Sequence, residues 1–310
     1  MSGMRFGIAL PNYGPLAQPE TLVRLARLAE ELSVDSVWLS DHLVAPVGVS
    51  SIYPFDRRAD AKPGDMGVIE KFYEPMITLA YLAGHTTRVR LGISAYVMPI
   101  RNPVLTAKHV ATLDALSGGR LILGIGTGWL REEFDALAVP FEQRGQRTDE
   151  YIAVCKAIWS GDEAQFDGRH YQLRPVRSGP RPAQRPHPPL WIAGNSHAAI
   201  ERAARLGDGW HAIDLSPEEL APLVALLRAR VAAHGRKPGA VTVSLRKGVL
   251  VRDAPPAAPR PLYGDRAAIQ RDLAAYRAAG LDYLIAGMRQ AKSADEVSSA
   301  LAEVARAMRD

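Results

Sequence analysis

Short apolar runs alternate with longer amphipathic stretches along most of this 310-residue chain. Residues 5–10 form the first apolar run, and Pro11-Asn12-Tyr13-Gly14-Pro15 halts it, which predicts a strand. Pro19 then opens a stretch in which Leu22, Leu25, Ala26, Ala29 and Leu32 recur at helical spacing. The same pair of signals repeats down the chain. Strands are predicted over 36–39, 89–97, from 121 into the glycines at 124–128, and over 190–193, 209–215, 241–251 and 281–286. Helices are predicted over 74–85, 102–116, about 143–159, 197–206, 217–233, 266–279 and 294–308.

Two stretches break this rhythm. Residues 43–73 show no sustained period and carry Tyr53, Phe55, Arg57 and Arg58 among glycines and prolines. A segment of that length without regular structure predicts a lid or a binding loop. Residues 161–189 read as an inserted hairpin over 165–173 with a proline-rich tail, either a surface linker or a cover over an active site.

Eight strand–helix units with no shift in composition predict one α/β domain over 1–310 with a parallel sheet. That number fits a closed (β/α)8 TIM barrel with insertions at about 43–73 and 161–189, since an open doubly wound sheet usually needs fewer units. The fold matters because barrel active sites lie at the C-terminal ends of the strands.

Composition adds exclusions. No apolar run reaches the roughly 18 residues of a spanning helix, and the first residues enter a strand at once, so neither membrane anchorage nor a signal peptide is expected and the cytoplasm is the default. The single cysteine, Cys155, rules out an internal disulfide framework and falls in a helical pattern with Ile152 and Ile158 as core filler. The net charge is +5, but the basic residues are scattered, so nucleic acid is not the expected partner. A mildly positive field still favours an anionic ligand.

Several polar groups fall at predicted strand ends. Asp41 and His42 follow the second strand: a histidine there suits general acid/base work, with Asp41 as its orienting partner, and a solvated loop pair is the plain alternative. Ser94-Ala95 lies in a third strand rich in small residues, where a ring system could rest on backbone or the strand could simply bulge. Arg101 and Asn102 either hold an anion or start the next helix. Thr127 and Gly128 end the alternating glycines, which do not complete the dinucleotide motif because its third glycine falls at Trp129. Gly194-Asn195-Ser196 sits at a helix N-terminus, a ready phosphate site and also an ordinary cap. His211 points into the barrel or fills its core. There is no G-x-S-x-G elbow, no H-E-x-x-H helix and no paired metal spacing, so no metal is expected. A phosphate-bearing cofactor that carries the difficult chemistry itself fits what remains.

Trp38-Leu39-Ser40-Asp41-His42, then Thr112-Leu113-Asp114-Ala115-Leu116-Ser117-Gly118-Gly119-Arg120 leading into Gly124-Ile125-Gly126-Thr127-Gly128-Trp129, resemble the bacterial luciferase-like monooxygenase superfamily. Phe141-Glu142-Gln143-Arg144-Gly145 and Gly207-Asp208-Gly209-Trp210 extend the likeness over nearly the whole chain, and the branch it most resembles is the deazaflavin (coenzyme F420)-dependent oxidoreductases. The resemblance implies F420, or FMN as the alternative, at the strand ends. It also implies Asp41 and His42 near the reactive face of the ring, and a non-proline cis peptide at Ser94-Ala95. The cofactor phosphate would sit on Gly194-Asn195-Ser196 and near Thr127-Gly128.

Relatives that oxidise sugar phosphates carry a catalytic glutamate after the glycine loop, where this chain has Trp129. An indole cannot exchange that proton, so a more apolar substrate is expected. The implied function is hydride transfer between F420 and a small organic molecule, with His42 as acid/base and both insertions excluding water. The rivals are an FMN monooxygenase fed by a partner reductase, a non-catalytic flavin- or deazaflavin-binding protein, and a cofactor-free barrel lyase or isomerase. A homodimer is expected from the relatives.

Overall fold

The computed structural model describes residues 4–56, 61–63, 71–251, 262–288 and 292–309, so Arg57 and Arg58 lie outside the described residues. In chain order the elements are β1 (Arg5–Ala9), α1 (Pro19–Glu31), β2 (Ser36–Leu39), α2 (Pro75–Ala83), β3 (Arg90–Val97), α3 (Pro103–Leu116) and β4 (Leu121–Gly126). Next come α4 (Arg131–Ala136), α5 (Arg144–Ser160), β5 (Ala164–Asp167), β6 (Gln172–Val176), β7 (Leu190–Ala193), α6 (His197–Leu206), β8 (Gly209–Ile213) and α7 (Pro217–Ala233). The chain ends with β9 (Thr242–Gly248), β10 (Leu250–Val251), β11 (Tyr263–Gly264), α8 (Arg266–Ala278), β12 (Tyr283–Gly287) and α9 (Ala294–Arg309).

Among the described residues, β1, β2, β3, β4, β7, β8, β9 and β12 pair in parallel in that order and close into a barrel. The (β/α)8 architecture is therefore the one the alternating pattern predicts. Each strand is buried on both faces, one against the helices and one inside the barrel, which is why the strands read as continuous apolar runs.

Large rings fill the barrel interior. Trp38, Trp191 and Tyr283 pack together, and Trp38 stacks on Trp191 with ring centres 5.1 Å apart. Their polar ends are satisfied in place: the Trp38 indole donates to Ser36 Oγ at 2.5 Å, and that hydroxyl meets the Tyr283 hydroxyl at 2.6 Å. A Cβ at Gly92 would stand 2.3 Å from the Trp38 ring, so the small residue on β3 is what admits the tryptophan. Cys155 is buried, as expected, with its thiol toward the Pro103 carbonyl.

The two insertions leave the barrel from opposite ends. Of residues 43–73, the described ones, 43–56, 61–63 and 71–73, lie between β2 and α2 and so at the C-terminal face of the strands. Residues 161–189 join α5 to β7, and a connection from a helix to the next strand must return to the N-terminal face. The β5–β6 hairpin is antiparallel, as predicted, but it is fastened to outer helices: Glu150 on α5 accepts the Arg169, His170 and Tyr171 N–H groups. Gln184 bonds Asp114 on α3 and the Leu121 carbonyl at the start of β4. The hairpin tip climbs the outer helices as far as Gln146 on α5 and Asn102 before α3, but no residue of 161–189 lines the strand-end cavity, so the expectation that this segment covers the active site is corrected.

No described helix is long and apolar enough to cross a membrane, and no metal-binding cluster of His, Cys, Asp or Glu occurs among the described residues.

Candidate active site

A cavity of about 650 Å³ opens at the C-terminal ends of the strands. Asp41, His42, Ser94, Ala95, Thr127, Gly128, Trp129, Gly194, Asn195 and Ser196 all line it, so ten positions spread over more than 150 residues of sequence come together there.

The floor is the β3 bulge. The register of β3 against β4 shifts between Ile93 and Tyr96, and the Ser94–Ala95 peptide is cis, as the resemblance implies. Beneath it, Ser94 Oγ meets His211 Nε2 at 2.6 Å, while His211 Nδ1 meets Ser244 Oγ at 3.0 Å. His211 is fully buried and stacked on Trp38, so it is a satisfied core residue. Burial, reinforced by the nearby Arg246 cation, lowers its pKa to about 3. In the unfolded chain the ring titrates near 6.5. Protonation therefore favours unfolding, and the stability His211 contributes is present above 6.5 and lost as pH falls from 6.5 toward 3. A His211→Gln variant is expected to lose less thermal stability than the parent between pH 7 and pH 5, read as the change in Tm; an equal loss in both would remove His211 as the acid-sensitive group.

Arg246 on β9 braces the same floor. Its guanidinium donates to the Ser94 carbonyl at 2.5 Å and to Ser40 Oγ at 2.9 Å, and it lines the cavity. Arg144, the first residue of α5, lines it too: its Nε donates to the Gly128 carbonyl at 3.1 Å and its plane lies 3.9 Å from the Phe141 ring centre. Neither arginine stood out in the sequence. The signal for Arg144 was its place in Phe141-Glu142-Gln143-Arg144-Gly145; Arg246 carried none.

Gly128 has φ +79°, and a Cβ there would meet the Phe134 ring at 2.6 Å, so the glycine is needed for conformation and for space. The loop after β7 is held by β8: Asn195 Oδ1 accepts the Ile213 N–H, Asn195 Nδ2 donates to the Ile213 carbonyl, and the Trp210 indole donates to the Gly194 carbonyl. Ser196 caps α6 through the Ala199 N–H. The loop thus presents backbone toward the cavity at the positive end of a helix. The Asn195 side chain holds the loop and is not the ligand-facing group.

His42 and Asp41 part company. The Asp41 carboxylate is buried and takes a two-pronged contact from Arg101, both distances 2.7 Å, together with the Val97 N–H. It fixes the end of β3 to the end of β2. Where the chain leaves β2, neighbouring side chains point to opposite sides, so Asp41 is turned away from the imidazole it was expected to orient. Arg101 is occupied by Asp41, and Asn102 caps α3, which leaves their helix-starting role.

The carboxylate on His42 comes from Glu133. Its Oε2 lies 3.0 Å from His42 Nδ1, and its Oε1 accepts the Leu43 N–H at 2.6 Å; only 1% of the residue is exposed. Glu133 belongs to α4, a six-residue helix that the apolar period did not reveal. A carboxylate oxygen accepts, so this geometry assigns the hydrogen to Nδ1 and leaves Nε2 for a ligand. The segment after the glycine loop therefore does supply a carboxylate to the site, at position 133 and through His42, while Trp129 forms wall.

The neighbouring Glu132 faces the other way and fastens the loop after β2. Its carboxylate accepts both the N–H and the hydroxyl of Ser50 and of Ser51. Burial works to raise its pKa, but these donors outweigh it and bring it down to about 2. The staple is whole above the ordinary carboxylate range, near 4.3, and is lost as pH falls toward 2. Glu132→Ala is expected to speed limited proteolysis within 44–56 at pH 7, with little change in overall Tm. Unchanged cleavage would show that the loop is held by other contacts.

The sequence model of the luciferase-like monooxygenase family matches residues 4–308. The F420-dependent glucose-6-phosphate dehydrogenase of Kineococcus radiotolerans is 32% identical over 232 residues, 72% of this chain and 61% of that protein. The FMNH(2)-dependent dimethylsulfone monooxygenase of Pseudomonas putida is 34% identical over 168 residues, 53% of this chain and 46% of that protein. Among solved structures, the monooxygenase RslO1 from Streptomyces bottropensis superposes with a TM-score of 0.81 at 23% identity over 98% of both chains, a likeness of fold. With a match over nearly its full length and a closed barrel whose strand ends carry these residues, the chain belongs to the luciferase-like monooxygenase family, whose members here include both F420- and FMN-dependent enzymes.

Proposed function

We propose that this protein is an oxidoreductase that binds coenzyme F420 in the strand-end cavity and exchanges a hydride with a small organic substrate. The observation that carries the reading is the pairing of His42 with Glu133 at the edge of a cavity floored by small residues and flanked by anion-binding groups. Those residues fit such a cofactor. Ser94, Ala95 and Gly126 leave a flat floor, and a Cβ at Gly126 would come within 3.3 Å of Ala95. The first turn of α6, behind Asn195 and Ser196, and the Arg144 guanidinium would hold the phosphate.

When bound, F420 supplies or accepts the hydride. The protein's own task is the proton: His42 Nε2 takes it from a substrate hydroxyl or gives it to an oxygen, while Glu133 fixes the ring and stabilises the imidazolium. The loop held by Glu132 keeps water from the cavity.

The second reading is an FMN-dependent monooxygenase fed reduced flavin by a partner reductase, favoured by the 34% identity to an FMNH(2)-dependent enzyme. The deazaflavin comes first because the F420-dependent relative aligns over 72% of the chain against 53%. Parallel titration with oxidised F420 and FMN, followed by fluorescence, decides between them. Micromolar F420 binding with much weaker FMN binding is the expected result; the reverse order would overturn the F420 assignment, and no binding of either would overturn both.

A further inference from the structure

Five aromatic side chains, Tyr13, Tyr53, Phe55, Phe72 and Trp129, line one side of the cavity, and His42 stands among them. Phe72 meets the His42 ring edge-on at 5.5 Å and Trp129 does so at 6.1 Å. Tyr13 stacks on Phe72 at 5.1 Å, and Tyr53 packs edge-on against both Trp129 at 5.1 Å and Phe55 at 5.4 Å. Val49 and Ile52 add aliphatic surface between them.

The rings come from the loops after β1, β2 and β4, whereas Asn195 and Ser196 follow β7 and Arg246 lies on β9. In the closed order of the barrel, β7 and β8 stand across from β1 and β2. Asn195 and Ser196 therefore lie across the cavity from Tyr13, Tyr53, Phe55 and Phe72, while Trp129 and Arg144 stand between, where Arg144 donates to the Gly128 carbonyl. On the aromatic side the charged lining residues of the loop after β2 are, among the described residues, Asp56 and Lys62, of opposite sign, and the Asp41 charge is matched by Arg101. Among the described residues of that loop, a phosphorylated substrate meets Lys62 as its one cationic lining group, matched by the opposite charge of Asp56. A flat apolar one meets five rings, and His42 offers a polar contact among them.

We propose that the substrate is a neutral, ring-bearing carbonyl compound, held in this aromatic cage with its oxygen at His42. The assignment rests on the hydride-transfer reading above. In the reduction the C=O double bond becomes one C–H and one O–H bond: the hydride comes from the reduced deazaflavin and the proton from His42, so electrons and atoms balance. The oxidation runs the same exchange backwards, from the ring-bearing alcohol.

Calorimetric titration of the full-length protein, loaded with whichever cofactor it takes and also unloaded, tests the cage without reference to turnover. The probes are 1-tetralone, a bicyclic aromatic ketone; 2-butanone, which has the carbonyl without the ring; and glucose 6-phosphate. Burial of the ring predicts that 1-tetralone binds at least about tenfold more tightly than either of the others. Phe72→Leu and Tyr53→Leu each weaken 1-tetralone by roughly two- to tenfold and 2-butanone by less. Quenching of Trp129 fluorescence by 1-tetralone, absent in Trp129→Phe, places the ketone in the cage even if one of the leucine variants fails to fold. Equal affinity for 1-tetralone and 2-butanone, a preference for glucose 6-phosphate, or indifference to both leucine substitutions would overturn the proposal. F420 binding without any preference for 1-tetralone overturns the cage alone. Tight 1-tetralone binding by a chain that takes neither cofactor keeps the cage and overturns hydride transfer.

Discussion

Replacing His42 with alanine lowers turnover by roughly 10²–10⁴-fold while the protein still binds its cofactor. The expectation follows from what each ring nitrogen faces. Nδ1 is engaged by Glu133, so Nε2 is the atom presented to a ligand, and the cavity exposes the ring to it. Alanine also strips the buried Glu133 of a partner, leaving it the backbone N–H groups of Leu43 and Val44. An unpaired buried group costs about 1–3 kcal/mol, so part of the alanine effect would be structural. His42→Gln separates the two contributions, because its amide can still donate to Glu133 yet cannot carry a proton. Loss of turnover in both variants, with Tm restored in the glutamine one, is the expected pattern. Full activity in His42→Gln would remove His42 from the proton's path.

The second large effect is expected at Glu133, four residues beyond the tryptophan that drew attention in the sequence. In Glu133→Gln the amide oxygen can still accept the Leu43 N–H, so the fold should survive with little change in Tm. The NH₂ group then faces His42 Nδ1, and two hydrogens cannot share one contact. The imidazole must move its hydrogen to Nε2, which turns the nitrogen offered to the substrate from an acceptor into a donor. The loss should lie between about 10², the cost of a misplaced catalytic group, and about 10⁴, the cost of the wrong tautomer when a histidine's orienting carboxylate is made an amide. The ¹⁵N chemical shifts of the His42 ring report the tautomer directly and would not move if Glu133 served only to pack α4. Wild-type turnover together with an unchanged tautomer would reduce Glu133 to a structural residue.

Distance along the chain separates the residues that could be read from those that could not. His42 announced itself by its place just past a strand, and Gly194-Asn195-Ser196 by its place before a helix. Both are local patterns, a switch from apolar to polar at a known period. Glu133 lies 91 residues from His42 and sits in a helix of six residues, too short for an apolar stripe to declare. Asp41 looked like the natural partner because it is adjacent, but adjacency in an extended chain sends side chains apart. The tandem Glu132-Glu133 shows the same blindness within one dipeptide: one carboxylate fastens Ser50 and Ser51, the other holds His42 and Leu43.

By itself the sequence determined the order of strands and helices, the closed barrel and the end of it where chemistry belongs, because hydrophobic period and chain connectivity are properties of neighbouring residues. The likeness of its motifs further located the cis peptide at Ser94–Ala95 and the cavity-lining loops. Tertiary structure alone decided which carboxylate meets His42, which arginines reach the cavity, that the 161–189 insertion packs on outer helices without lining the cavity, and that five aromatic rings from three loops converge there. Each of these is a contact across long loops, fixed by how the barrel closes; no short stretch of residues encodes it.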